Sequence, residues 1–385
     1  MNDSRGNISF LRKAVILSIA ATTAWFLFGS SIRAGQIPQD TPYRRWVSVG
    51  KQAAEEALDI MRKSGFPSNK KKLIAMTNAG YAEVNGQSTQ PALDGLSRVT
   101  GASRGATTLV EIHSNSQCPL WFAVFDACSG ACAYLQVRAG GVKQDKNSSP
   151  GASSAGLFDI HSIARIDADY LFANPAEYTG KFEQKIFGGN EFRIIAIANA
   201  IARGAPASVI RAVEFHDHYC PGVTSGILMA AYVKKNFPAD GAYFIHAVDP
   251  WCKEDALMVL LNVTPGKQGY AVFYPSEADK VKRLPEAKNA STIIYRQNLQ
   301  TKRWEGRVLA FEWAETTCPK SGNVIIDKLC ADLWYLDRLD QPEAFVKVLR
   351  EFDLPDGVTP KDWARPGIDP LGMAGMLLDP GKETP

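Results

Sequence analysis

Apolar residues recur along this chain with two different periods, and the change between them predicts an order of helices and strands. The segment SVGKQAAEEALDIMRKSG spaces its apolar positions on one helical face and ends at Gly65. EFRIIAIANAIARG predicts a more apolar helix that ends at Gly204. Between them, TTLVEIH is typical of a strand, and LWFAVFDA fits either a strand or a buried helix.

The later part of the chain predicts a strand (GAYFIHAV), a helix (CKEDALMVLLNV) and then three strands (GYAVFYP, STIIYRQ and GRVLAFEWAE). Strands run together at the end instead of alternating with helices throughout. The pattern therefore favours an α+β fold, a mixed sheet with packed helices, over a doubly wound parallel sheet.

Length and composition set the domain prediction. With 385 residues and 45% hydrophobic content, the chain can form two globular domains. The polar stretch VKQDKNSSPGASSAG is the best linker candidate and puts a boundary near residue 150. We predict an N-terminal α+β domain over 35–150, a linker region over 151–185, a second domain over 186–340 and a Pro- and Gly-rich surface tail over 341–385.

An internal repeat is one interpretation of the two halves. The shift that superposes Cys118 on Cys252 also superposes Tyr81 on Phe215. Identity is very low, so a diverged tandem repeat and chance similarity both stay open. If the repeat is real, the first copy has lost the candidate site, because Ala82, Val84 and Gly86 would stand where His216, His218 and Cys220 do.

Residues 1–34 have the order of an export signal: basic residues, the apolar run AVILSIAATTAWFLFG and then small residues. We predict cleavage near Ala34 and export to the periplasm. The alternative is a retained anchor in the inner membrane, facing the periplasm, because the run is long and Ile32 stands where a small residue is preferred.

Charge excludes one class of partner. Of the 43 basic and 40 acidic residues, four and one lie in residues 1–34, which leaves 39 of each. Without a basic excess, nucleic acid is not an expected partner. No later segment reaches the roughly 18 apolar residues of a membrane span, so membrane contact is expected only through an uncleaved N-terminal segment.

The seven cysteines all follow residue 34. An oxidising compartment permits disulfides, but an odd number leaves at least one thiol free, metal-bound or intermolecular. The first pairs to test are Cys128 with Cys132 and Cys318 with Cys330. Neither pair resembles a zinc ribbon, which needs two close pairs.

The stretch HDHYCPG, residues 216–222, carries the candidate chemistry. Pro221 is favoured in the first turn of a helix, so Cys220 is the predicted N-cap. Unpaired N–H groups and the helix dipole at that position would lower the pKa of the thiol. His216 and His218, two positions apart in an extended lead-in, would project to the same side.

Two imidazoles and a thiolate suit zinc, with another divalent transition metal as the alternative. Cys252, which opens the next predicted helix, is the predicted fourth ligand, and water is the alternative to it. A structural turn or a Cys220–Cys252 disulfide also stays open. The remaining histidines are interpreted as surface or core residues: His113, His161 and His246.

FHDHYCPG followed by a Gly-bearing apolar helix resembles the F-H-G-H-x-C-P-G signature of the formylmethanofuran dehydrogenase FmdE family. CKEDALMVLLNVTPGKQGY resembles the second block of that family, a Cys with an Asp three positions on, a short helix and Thr-x-Gly-Lys. The resemblance covers about residues 190–310 and gives these motif positions: His216, His218, Cys220, Cys252, Asp255, Thr264, Gly266 and Lys267.

The resemblance implies an α+β core that often pairs as a homodimer and holds a metal ion, usually zinc, near the His/Cys motif. It does not imply the dehydrogenase reaction, which belongs to other subunits. This chain departs from the family in having Asp217 for the usual Gly, no counterpart of the C-terminal zinc finger and an export signal. The last of these departures suggests an exported relative.

Three further residues have candidate roles in binding. Asp217 and Asp255 could orient an imidazole or act as general base to a metal-bound water, with simple solvation or helix capping as the alternative. Lys267, in the Gly-bearing TPGKQG, could bind an anionic group of a small-molecule ligand, or it is an ordinary turn lysine.

Three functions follow from these residues. The first is an exported metal-binding protein with an accessory or binding role. The second is a hydrolase or transferase that uses a metal-activated water, or Cys220 as nucleophile with His218 as base. The third is a thiol redox protein that cycles Cys220 and Cys252. Whether the protein is an enzyme stays open at this level.

Overall fold

The computed structural model describes residues 41–66, 72–140 and 156–378, which contain eleven α-helices, two five-stranded mixed sheets and one two-stranded sheet. The helices are α1 (Thr41–Lys63), α2 (Ala92–Thr100), α3 (Ala168–Ala173), α4 (Pro175–Glu183), α5 (Glu191–Ala202), α6 (Ala207–His216), α7 (Pro221–Asn236), α8 (Lys253–Leu260), α9 (Glu277–Val281), α10 (Val324–Leu336) and α11 (Pro370–Met373). The α+β prediction is confirmed.

The strands are β1 (Leu73–Thr77), β2 (Glu83–Val84), β3 (Gln87–Ser88), β4 (Leu109–Glu111), β5 (Trp121–Asp126), β6 (Ala131–Val137), β7 (Phe158–Arg165), β8 (Tyr243–Ala247), β9 (Tyr270–Val272), β10 (Ala290–Gln297), β11 (Trp304–Phe311) and β12 (Val346–Asp353). LWFAVFDA is thus a strand, β5. The predicted export signal and most of the linker candidate near residue 150 lie outside the described residues. No helix within the described ranges is both long enough and apolar enough to cross a membrane.

The two large sheets have the same topology. In the first, the order is β4-β1-β5-β6-β7, and only β1 and β4 are parallel. In the second, the order is β9-β8-β10-β11-β12, and only β8 and β9 are parallel. One helix precedes the first strand of each sheet, α1 or α7, and another follows that strand, α2 or α8.

The positions that are equivalent in the two sheets are not the positions paired by the shift that superposes Cys118 on Cys252. The equivalent strands β1 and β8 begin at Leu73 and Tyr243, whereas that shift would place Leu73 on Ala207, the start of α6. Cys118 lies between β4 and β5, whereas Cys252 is the N-cap of α8, so the shift does not pair equivalent positions. The position equivalent to Cys252 is Pro91, the N-cap of α2, and the first half therefore has no thiol there.

Each sheet is covered on both faces because its strands place successive apolar side chains on opposite sides. In the first sheet, Ala75 packs with α1 and α2, while Met76 packs in a core with α5, α6 and the start of α7. In the second sheet, Ile294 packs with α7 and α8, while Ile293 packs against the C-terminal segment. From Arg45 onward the chain forms one compact unit.

Two segments differ from the sequence prediction. Residues 158–165, in the predicted linker region, form β7 and complete the first sheet. Residues 346–353, in the predicted tail, form β12, and Trp363, Leu371 and Met376 then bury their side chains on the second sheet. Proline and glycine in these segments indicated breaks, but the few large apolar residues between them determine where the chain packs.

Candidate metal centre

Cys220 lies at the start of α7, where the sequence predicts a helix N-cap. Its backbone is extended, and Pro221 occupies the first helical position. Pro221 fits there because its missing N–H would have no partner in the first turn. From this position the Cys220 sulfur faces the side chains of His216 and Cys252.

His216 ends α6, which corrects the predicted extended lead-in to Cys220. Asp217 then adopts a left-handed conformation with φ of 76°, and this reverses the chain. Such a residue commonly ends a helix and is usually Gly, while Asp tolerates the conformation better than most residues. The turn brings the rings of His216 and His218 to 4.5 Å between centroids.

Two glycines in α7 allow α8 to approach closely. A Cβ on Gly222 would lie 2.7 Å from Cβ of Cys252 and 3.1 Å from its sulfur. A Cβ on Gly226 would lie 2.3 Å from the carbonyl oxygen of Lys253. Because neither glycine carries a side chain, the starts of α7 and α8 pack together, and this brings the thiols of Cys220 and Cys252 close to each other. This role was not predicted from the sequence, although two glycines four positions apart share one helical face.

Three predicted ligands form one donor cluster, which we define as His216, Cys220 and Cys252. One ligand atom from each residue lies within 4.8 Å of the others. The His216 Nε2 atom is 4.0 Å from the Cys220 sulfur. Cys220 is buried, while Cys252 is half-buried, so the donor cluster lies at the edge of the interior.

His218 lies beside the donor cluster, but its nitrogens do not belong to the group of close ligand atoms among the described residues. Its Nδ1 lies 2.6 Å from the Asp217 carboxylate, and its ring contacts that of Phe192 at 5.3 Å between centroids. The structure therefore unites three of the four predicted ligands and keeps the fourth as a neighbour.

Each of the two histidines donates a hydrogen bond to a carboxylate. Asp255 Oδ2 accepts a hydrogen bond from Nδ1 of His216 at 2.7 Å. Asp217 does the same for His218 and also binds Arg193 through its other oxygen, at 2.8 Å. Burial alone would raise the pKa of Asp217, but the bonds to His218 and Arg193 lower it below its usual value. A histidine that donates Nδ1–H to a carboxylate binds a metal through Nε2, after Nε2 has released any proton it carries.

The two thiols of the donor cluster have pKa values shifted in opposite directions. Hydrogen bonds from Cys220 and His216 lower the pKa of Cys252 to about 4. The hydrogen bond to Cys252, together with burial, raises the pKa of Cys220, which corrects the prediction that Cys220 is the acidic thiol. Burial opposes protonation of His216, but its bonds to Asp255 and Cys252 outweigh burial and raise its pKa to about 9.

Lys267 lies away from the donor cluster. It ends a short 3-10 helix, Pro265–Lys267, that follows α8, and its ammonium group donates to the side chain of Asn262. Cys252 lies at the opposite end of α8, and the eight residues of that helix span about 12 Å. No contact among the described residues therefore links Lys267 to the thiols.

The other histidines are surface or core residues, as predicted. His113 is exposed, stacks on Phe215 and contacts Tyr81 in a tilted arrangement. His161 is paired with Glu56 at 3.0 Å. His246 is buried in β8.

One of the predicted disulfides is present. Cys318 and Cys330 are bonded, which ties the segment before α10 to that helix. Cys128 and Cys132, both in the described part of the chain, form no disulfide with each other, and Cys132 is buried in β6. Cys220 and Cys252 are thiols, so this state of the protein does not contain the alternative Cys220–Cys252 bond.

The donor cluster fits a zinc-like ion by its chemistry. It offers one imidazole nitrogen and two sulfurs, the atoms that zinc prefers at about 2.0 and 2.3 Å. Around a tetrahedral ion of that size a sulfur and a nitrogen are roughly 3.5 Å apart. The observed 4.0 Å between Cys220 and His216 therefore needs only a small contraction.

Comparison with protein families gives a match over part of the chain. Residues 215–319 match the family model FmdE, whose description is "Molybdenum formylmethanofuran dehydrogenase operon". The matched range contains the complete donor cluster, Asp255 and the strands β8 to β11. None of the curated proteins compared with the chain matches it.

Proposed function

Because the chain belongs to the FmdE family through residues 215–319, we propose that it is a metal-binding protein with an accessory or binding role. His216, Cys220 and Cys252 would hold one ion, with His218 as the candidate for a fourth ligand. The observation that carries this proposal is the convergence of the three donor atoms within 4.8 Å.

Zinc is the ion that the donor set favours, and another divalent transition metal is the alternative. Cysteine sulfur selects for soft and borderline metals, and imidazole suits zinc, copper, iron and nickel. Asp255 would fix the ring of His216 in the tautomer that presents Nε2. The ion would supply a positive charge and a Lewis acid at the edge of the protein interior.

Metal analysis of the protein purified without a His-tag tests the proposal. We expect about one ion per chain in the unmodified protein. The variants Cys220→Ser, Cys252→Ser and His216→Ala should each lose it, since each removes one donor. Cys118→Ser is the matched control, because Cys118 is an exposed thiol outside the donor cluster. Equal metal content in all four variants would contradict the proposal.

Hydrolysis or group transfer by a metal-bound water is the second candidate function. It is favoured by the position of His218 outside the close donor group, because three protein ligands leave a position open, as in catalytic zinc sites. The version with Cys220 as nucleophile is less favoured because the pKa of this thiol is raised. Ester hydrolysis by the zinc-loaded protein, lost in Cys252→Ser and kept in Cys118→Ser, would support the second function.

Localisation and assembly are also proposals. The order of basic, apolar and small residues in 1–34 supports export to the periplasm, with cleavage or with retention as an anchor. Fusion of this segment to a phosphatase that is active only after export tests it. The family resemblance supports a homodimer, which light scattering of the purified protein would detect as twice the mass of one chain.

A further inference from the structure

A cavity of about 220 Å³ lies between the first sheet and the start of α5. One wall comes from the first sheet and its loops and includes Ile112, Trp121 and Gln136. The opposite wall comes from the turn before α5 and from the first turn of that helix, and it includes Arg193. No residue of the donor cluster is among the described residues that line it, so the cavity is a separate site.

Gln136 offers an unused hydrogen-bond donor to this cavity. The Gln136 side-chain oxygen already accepts from Tyr134, so its NH₂ group is what it offers to a ligand. The side-chain amide of Asn78 already has partners within the protein. Its oxygen accepts a hydrogen bond from the backbone of Trp121, and its NH₂ donates to the carbonyl of Pro119. The described lining contains no carboxylate, and Arg193 is its one charged residue.

Arg193 keeps donor capacity for a ligand. Its Nε donates to the backbone carbonyl of Asp217, and one terminal nitrogen donates to the Asp217 carboxylate. The other terminal nitrogen donates to the side-chain oxygen of Asn190. A guanidinium group has five N–H bonds, so two of them have no partner among the described residues.

The remaining wall is apolar. Ile112 and Trp121 are both almost fully buried and lie beside Pro119. An apolar wall opposite a guanidinium group suits a molecule with an apolar body and an anionic head, because Arg pairs with carboxylate and phosphate through two parallel hydrogen bonds. Pockets for drug-sized ligands begin near 300 Å³, so a cavity of about 220 Å³ suits a smaller molecule.

We propose that this cavity binds a small organic anion, with Arg193 paired to its carboxylate or phosphate and with Trp121 and Pro119 against its apolar part. Arg193 also connects the cavity with the candidate metal centre. The same guanidinium holds Asp217, and the other oxygen of Asp217 holds His218. The proposal does not depend on a bound metal.

Calorimetric titration of the full chain with three probes tests the proposal. Benzoate and phenyl phosphate carry the two anionic head groups, and benzamide is the neutral counterpart of benzoate. We expect one site per chain, with at least one anion bound about tenfold or more tightly than benzamide. The tighter of the two anions identifies the head group. Equal binding of anions and benzamide, or binding of none of the probes, would overturn the proposal.

Two variants on one helix separate the role of Arg193 from a general loss of charge. Arg193→Gln should weaken anion binding by about tenfold or more, since it removes the positive charge from the cavity. Arg203→Gln is the matched control, because Arg203 caps the other end of α5 and pairs with Asp337. Its affinity should stay within about twofold of the unmodified protein. Equal effects of the two substitutions would count against the site.

Alkylation provides a further test, and its main measurement uses the unmodified chain. Cys118 is an exposed thiol that lines the cavity. A bound anion should slow its reaction with iodoacetamide, followed by mass spectrometry of the peptide, without slowing the reaction of exposed Cys128. Protection should persist in Cys220→Ser, which keeps this result distinct from the metal proposal. An unchanged rate at Cys118 in saturating anion would place the ligand elsewhere and refute the site.

Discussion

Asp255 binds Nδ1 of His216 at 2.7 Å, while Nε2 of the same ring faces the Cys220 sulfur at 4.0 Å. The carboxylate therefore fixes which nitrogen of His216 is presented to the thiols. Such partners of metal-binding histidines typically change metal affinity by about 10- to 100-fold.

We therefore expect Asp255→Asn to weaken zinc binding by about 10- to 100-fold, because the amide holds the ring without a negative charge. Competition with a chromophoric chelator measures the affinity. Asp217→Asn is the matched control, since the Asp217 carboxylate holds His218 instead of His216. If both substitutions weakened binding equally, the special role of the His216–Asp255 pair would be wrong.

Gly222→Ala should separate the two thiols. The added methyl group would lie 2.7 Å from Cβ of Cys252, so α8 must move away from the start of α7. We expect about tenfold or greater loss of zinc affinity and a destabilisation of about 1–3 kcal/mol. Gly266→Ala is the control, because its Cβ would come no closer than 4.0 Å to Thr264. Titration with zinc and urea unfolding measure the two effects.

Local features of the site could be read from the sequence. The N-cap position of Cys220 followed from Pro221, and the position of Cys252 followed from the start of the next apolar helix. Both depend on residues that are neighbours in the chain. The strands β8 to β11 were likewise predicted, because their apolar runs are bounded by glycine, proline and polar residues.

Features that depend on tertiary packing could not be predicted from the sequence. The acidity of Cys252 relative to Cys220 depends on burial and on which thiol donates to the other. The reversal at Asp217 depends on α6 extending as far as His216, and helix ends are the least certain part of any sequence prediction. The role of β12 was missed because its partner, β11, lies beyond a helix and a long loop.

His216→Ala and His218→Ala should differ if only the donor cluster binds the ion. We expect His216→Ala to lose bound zinc, while His218→Ala keeps it with weaker affinity, since His218 lies outside the group of close donor atoms. Metal content after dialysis against a weak chelator distinguishes them. Complete loss in both variants would instead make His218 a ligand as well, as the sequence motif predicts.

The Cys318–Cys330 disulfide should contribute to stability, because it closes a loop with a sequence separation of 12. The chain-entropy estimate for a loop of this length is about 3 kcal/mol. We expect Cys318→Ser with Cys330→Ser to lower the free energy of unfolding by about that amount in urea. Cys118→Ser is the control, and a double variant as stable as the control would contradict the estimate.

His246 should make the stability of the fold depend on pH. The side chain is buried in β8, and burial lowers its pKa from 6.5 to about 3. Its Nδ1 lies 3.0 Å from the Tyr295 hydroxyl, whereas its Nε2 is buried without a hydrogen-bond partner. The folded protein therefore keeps His246 neutral at a pH where the unfolded chain protonates it.

The direction of this pH dependence follows from which state binds the proton. Between pH 6.5 and about 3 the unfolded state holds the additional proton, so this contribution to stability is complete above pH 6.5 and is lost as the pH falls. From pH 7.5 to 5 the loss is on the order of 2 kcal/mol. His246→Gln cannot titrate, so urea unfolding at these two pH values should give a difference smaller by that amount than in the unmodified protein. The same pH dependence in both proteins would mean that the pKa of His246 does not change on folding.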